Sequence, residues 1–219
     1  MTTLSQTARS IAATVRRLLR SERGSVSIEF VIIVPMMLLV MLGFTEVYMY
    51  MRAVSAVDRT AFTLANTIGQ MTSVIPDNTD TTDANSYGSI WQDAVLLAAP
   101  YQLKANGMVY VSFVCDPDSK SKCKDMDTSM TAVTPKIQWT ASPPSWTNSK
   151  SASMASRVSS TSPLPGSWPF RTGDSAIIVE VFLSYNPFVM TSNFKSGLPG
   201  QQTLYRRVYV RPRAPRAFF

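Results

Sequence analysis

The chain carries one long apolar run and, after it, shorter stretches of regular spacing. From Phe30 to Met51 only Thr45, Glu46 and the tyrosines Tyr48 and Tyr50 interrupt apolar side chains. Coiled as a helix, this run spans roughly 33 Å, about the thickness of a hydrocarbon core. Past Met51 the pattern changes without stopping. Val54, Val57, Ala61, Leu64, Ala65, Ile68 and Met71 recur every three or four residues. That spacing lines them along one face of a helix, with Arg52, Asp58, Arg59 and Gln70 largely elsewhere. The pattern predicts one long helix over 25–71, membrane-embedded over about 28–51 and amphipathic beyond. Pro35 lacks an N–H and is expected to kink or loosen it one turn upstream.

The rest, 72–219, reads as a small α+β domain. "TSVIPDNTDTTDANS" (Thr72–Ser86) is a loop by composition. Its Asp77, Asp80 and Asp83 lack the spacing and glycine of an EF-hand loop, which favours a solvated loop. Ser89–Ala99 carries Ile90, Trp91, Val95 and Leu96 as a short amphipathic helix, ended by Pro100. Met108–Cys115, Lys136–Thr140, Ile177–Tyr185 and Leu204–Arg211 read as strands of an antiparallel sheet. The continuous apolar character of Ile177–Tyr185 predicts a central position, closed by Pro187. In the last strand Tyr205, Arg207, Tyr209 and Arg211 share one face. Its arginines suit a solvated edge that resists aggregation, in preference to a grip on a partner or on anionic lipid. Ala141–Asp174 is rich in Ser and Pro, with Trp146 and Trp168 embedded, and is too long for an inert linker. It either contains a helix near Ser151–Val158 or forms a surface flap, its tryptophans anchoring it on the core.

Charge sets the orientation. The net charge of +7 is localised: Arg9, Arg16, Arg17, Arg20 and Arg23 precede the apolar run, and Arg206, Arg207, Arg211, Arg213 and Arg216 close the chain. No continuous basic stripe or reader motif accompanies them, so no nucleic acid partner is expected. The first cluster is a basic membrane flank, which places the N-terminus in the cytoplasm and 72–219 outside it. Glu46 would then face the membrane boundary or a partner helix.

Glu29 is harder to place, because an unpaired carboxylate in hydrocarbon costs at least a few kcal/mol. The apolar run is too long for a cleaved signal peptide, and no small-residue site follows it closely. A junction before the run, between Gly24 and Ser25, makes 1–24 a basic leader and Glu29 the fifth residue of the mature chain. In an assembly of such chains, Glu29 of one subunit could neutralise the N-terminal ammonium of its neighbour, each charge being poorly placed alone.

Candidate chemistry is sparse. The absence of histidine removes the commonest general base and metal ligand together. No nucleophile-elbow pattern or metal-ligand cluster appears. No catalytic, cofactor-binding or metal-binding residue is assigned, and neither a cofactor nor a small-molecule substrate is expected. If the domain is exported, Cys115 and Cys123 are expected to form a short-loop disulfide, with two free buried thiols as the alternative.

The string "RGSVSIEFVIIVP" (Arg23–Pro35) resembles the processed N-terminus of TadE-like pseudopilins of the tight-adherence (Flp, type IVc) pilus system. The shared features are a basic leader, Gly24 at the cut, Glu29 followed by Phe30, and an apolar helix with Pro35. "AIIVEVFLSYNPFV" (Ala176–Val189) is similar to the end of that family, where a hydrophobic strand leads into a Tyr-x-Pro turn. TadF and TadG types share part of the pattern. The resemblance implies a pilin-like fold and cleavage after Gly24 by a membrane-embedded aspartyl prepilin peptidase. It also implies a minor pilin's work, with other pilus subunits and an inner-membrane assembly platform as partners. The expected location is the inner membrane, single-pass with the C-terminal domain periplasmic, and then the pilus. The alternative is a signal-anchored periplasmic binding or adhesion module that does not polymerise, with Glu29 at the interface.

Overall fold

The computed structural model describes residues 25–119, 122–125, 131–191 and 197–213. The expected leader, 1–24, lies outside the described residues. The fold is α+β, a long N-terminal apolar helix followed by a four-stranded antiparallel sheet with short helices. Helix α1 is Ser25–Gln70 and continues through Pro35. Helix α2 is Tyr87–Leu97 and the short α3 is Leu103–Asn106. The strands are β1 Gly107–Cys115, β2 Lys136–Ala141, β3 Ser175–Tyr185 and β4 Gln202–Val210. Their order in the sheet is β2-β1-β3-β4.

The described chain forms two compact units. The first joins α1 up to Tyr48 with Phe188–Leu198, of which 192–196 lie outside the described residues. The second contains the rest of α1 and the whole sheet.

In the second unit the periodic stripe of α1 becomes core. Val57, Ala61, Leu64, Ala65 and Ile68 are buried, with Val54 and Met71 packed against the same cluster. They share it with Ile90 and Trp91 of α2 and with Val109, Val111, Val179 and Val181 of the two inner strands. Each fully buried Leu or Ile contributes about 1.5–3 kcal/mol relative to exposure. Thr60, within the stripe, satisfies its hydroxyl on the Ala56 carbonyl 2.7 Å away, one turn back.

Helix α2 starts earlier than its apolar pattern predicts because Ser86 caps it, its Oγ accepting from the Ser89 N–H at 3.2 Å. The preceding loop folds over itself through its acids. Asp77 accepts from the N–H and hydroxyl of Thr79, and Asp80 does the same for Thr82. These bonds hold both carboxyls below the usual aspartate range. The loop passes so close to α2 that a Cβ on Gly88 would lie 2.2 Å from the Asp80 carbonyl oxygen.

The Ser/Pro-rich segment is a flap. Only a single 3-10 turn, Ala152–Met154, stands where a helix near Ser151–Val158 was the alternative. Leu164 and Phe170 are buried with Val114, Ala176 and Ile178 in a second cluster, and Trp168 packs against it. The side chains β1 and β3 contribute there alternate with those they give to the main core, as strand geometry requires. Trp146 is buried in the main core. Both tryptophans therefore anchor the flap.

Cys115, the last residue of β1, is disulfide-bonded to Cys123, with Cα atoms 5.6 Å apart. Closing so short a loop stabilises the fold by about 2.5 kcal/mol in the chain-entropy account. The double variant Cys115→Ala/Cys123→Ala should lose about that much. Alkylation of the native, unreduced protein should label neither cysteine, and labelling of both would contradict the bridge.

Candidate functional site

In the first unit, Ser25, the expected mature N-terminus, is the first residue described and lies in α1. Gly24, the residue expected to precede the cut, lies outside the described residues. Glu29 follows Ser25 by four positions, one turn along the same helix face. Glu29 and Phe30 are exposed in the single chain. So are Ile28, Val31, Ile32, Met36, Leu39 and most other large apolar residues as far as Met51. Such a surface requires lipid or neighbouring subunits. By length and composition α1 can cross a membrane once.

Beyond Glu29, Thr45 and Glu46 interrupt that surface, and both are satisfied within the chain. The Thr45 hydroxyl donates to the Met41 carbonyl at 2.8 Å, within the helix. Glu46 is buried, with a relative exposure of 3%. Its Oε1 accepts from the backbone N–H groups of Met190 and Thr191 at 2.5 and 2.9 Å, and its Oε2 accepts from the Thr191 hydroxyl. The sequence pattern assigned Glu46 to the membrane boundary or a partner helix. Its partner is instead the segment after β3 in the same chain. The two sites are 144 residues apart, and no periodicity or motif links positions so distant.

The second unit has its own buried carboxylate. Glu180 stands in the middle of β3 with a relative exposure of 0%, in a run that its neighbours made look continuously apolar. On β4, Arg207 is its register partner and donates to Oε1 from Nε at 3.1 Å and from Nη2 at 2.9 Å. The Tyr205 hydroxyl donates to the same oxygen at 2.7 Å. From the flap come the Ser156 hydroxyl and the Arg157 N–H, the latter at 3.2 and 3.3 Å from the two carboxylate oxygens. Burial works against the Arg207 charge, yet its bonds to Tyr209 and Glu180 outweigh that and raise its pKa above the ordinary arginine value. Burial, then the bond to Glu180, pushes the Tyr205 hydroxyl up as well. The solvated-edge reading of these arginines is therefore corrected for Arg207, which neutralises a core acid. Arg211 also has work inside the domain, an ion pair with Asp174 at 3.2 Å and a bond to the Pro169 carbonyl. Exposed Arg206, paired with half-buried Asp58 at 3.1 Å, keeps the solvated role. The available signal was Glu180 itself, since a mid-strand acid among Val and Ile demands a cation.

The two sites differ in kind. The Glu180 cluster is closed by its own protein donors and joins flap to sheet. The apolar side chains of α1 are largely exposed, while its Thr45 and Glu46 are satisfied within the chain. Residues 24–65 match the family of TadE-like proteins. The TadE-like match begins at Gly24 and runs past the apolar segment into the amphipathic stripe. The similarity noted at Ala176–Val189 falls outside it. No curated protein and no solved structure matches the chain.

Proposed function

We propose that the chain is a minor pilin-like subunit of a tight-adherence pilus, cut after Gly24 by a prepilin peptidase and assembled through its N-terminal helix. The TadE-like match over 24–65 carries this reading, and it points to a pilus-associated structural component. The exposed apolar helix supports it, because a subunit that exchanges lipid for neighbouring helices needs such a surface in both settings. The role is structural and not enzymatic, with the peptidase, other pilus subunits and the assembly platform as partners. In this reading the helix crosses the inner membrane with its N-terminus cytoplasmic and 72–219 periplasmic before assembly.

The test is the junction. Gly24→Leu should block cleavage, since a peptidase pocket shaped for a residue without a side chain would clash with leucine. The retained leader adds about 2.6 kDa, its share as 24 of the 219 residues in a 24.2 kDa chain. N-terminal sequencing of the wild-type product should read Ser25 first. A wild-type chain that keeps its leader in cells containing the peptidase would favour the signal-anchored module instead.

A further inference from the structure

Glu46 lies five residues inside the expected outer end of the membrane run, about 7.5 Å along the helix axis. Its carboxylate is held by the backbone of Met190 and Thr191 at 2.5 and 2.9 Å. Groups that close share one depth. If α1 is in lipid at Glu46, the chain just after β3 is in lipid beside it. Irregular backbone is tolerated at that depth only where its N–H groups are satisfied by protein, and Glu46 satisfies two of them. The carboxylate in turn gains three donors that remove the cost of burying it. Neither partner is well placed in a membrane without the other.

The side chains of this segment fit the same setting. Val189 and Met190 are 61% and 52% exposed. Phe188 and Leu198 form, with Leu39, Gly43, Phe44 and Val47 of α1, a groove of about 510 Å³. Apart from Thr191, every residue lining it is apolar or glycine. The groove is continuous with the lipid-facing surface of the helix, so an acyl chain is the occupant it fits.

We propose that Phe188–Met190 is a second membrane-inserted element, seated among outer-leaflet acyl chains and latched to α1 through Glu46. The inference rests on α1 being a membrane anchor, and the experiment separates the two. Because the native cysteines are bridged, a single added cysteine takes a nitroxide label selectively. Full-length Val189→Cys, Leu38→Cys and Ser160→Cys are labelled in phosphatidylethanolamine–phosphatidylglycerol vesicles. Collision rates are then measured with oxygen, which prefers lipid, and with a water-soluble nickel chelate.

Leu38, exposed and outside the groove, serves as the lipid reference and Ser160 as the aqueous one. The oxygen-to-nickel ratio at Val189 should lie several-fold above that at Ser160, close to Leu38. Adding Glu46→Ala should lower the Val189 ratio several-fold while leaving Leu38 unchanged. A Val189 label as open to nickel as Ser160, with Leu38 still in lipid, overturns the insertion and leaves the anchor standing. An aqueous Leu38 overturns both. The unsubstituted Glu46 comparison decides the question even if Glu46→Ala folds poorly.

Discussion

Replacing Arg207 with leucine should destabilise the sheet domain by about 3–5 kcal/mol, the usual cost of removing one partner from a buried pair. The cause is the charge left behind. Glu180 is fully buried, and without the guanidinium its carboxylate keeps only the Tyr205 hydroxyl, the Ser156 hydroxyl and the Arg157 N–H. Those donors supply dipoles but no counter-charge in direct contact. The Arg157 guanidinium is stacked instead over the Tyr205 ring, 4.6 Å from its centroid. Arg207→Lys should lie between wild type and leucine, because an ammonium restores charge but not the fork that donates twice to Oε1. The double variant Glu180→Leu/Arg207→Leu should recover most of the loss, since the penalty lies in an unpaired charge and not in the absence of a pair. Thermal unfolding of the detergent-solubilised full chain reads all three. A fall in Tm of roughly 10 °C is expected for Arg207→Leu, at a few degrees per kcal/mol for a chain of this size. An unchanged Tm would mean that solvent already screens the pair.

The same cluster shows which parts of the fold were legible in the sequence. Helix α1 and the four strands follow from periodicity, because each alternation or three-four spacing is a local property of consecutive residues. The predicted strand bounds differ from the observed ones by one or two positions, as ladder hydrogen bonding extends past the apolar side chains at the start of β1, β3 and β4 and at the end of β2. The stripe from Val57 to Ile68 is core for the same local reason. What periodicity could not supply is pairing at a distance. Glu180 meets Arg207 only because β3 and β4 align in one particular register, and Glu46 meets Thr191 only because the chain after β3 returns to α1. The flap was legible as something other than linker, through its length and its tryptophans. Its single 3-10 turn was not, since a Ser/Pro-rich stretch has no strong local preference to read. The TadE-like match over 24–65 was legible for the same local reason, because glycine, acid and apolar run follow one another along consecutive residues.

Glu29→Leu should abolish or severely reduce incorporation into pili while leaving cleavage and membrane insertion intact. Under the proposed function, Glu29 neutralises the N-terminal ammonium of a neighbouring subunit at Ser25. Leucine at this position suits lipid better than a carboxylate does, so the isolated subunit should be no less stable in the membrane. Glu29 is exposed in the single chain, and substitution there opens no cavity in the protein core. The loss should appear only when subunits meet, where the neighbour's ammonium would be buried without a counter-charge. Glu29→Asp should give a partial defect, because the charge remains but its reach is shorter by one methylene. Glu29→Gln distinguishes charge from hydrogen bonding, since the amide keeps the length and an acceptor oxygen but cannot neutralise an ammonium. Precursor size, the membrane fraction and the subunit content of sheared filaments are measured on the same cells. Wild-type incorporation of Glu29→Leu would make the carboxylate an interfacial residue with no part in assembly. A failure of cleavage in that variant would move its function to recognition by the peptidase. Normal cleavage and insertion with lost incorporation is the outcome that pairing between subunits requires, because only the assembled state brings the two charges together.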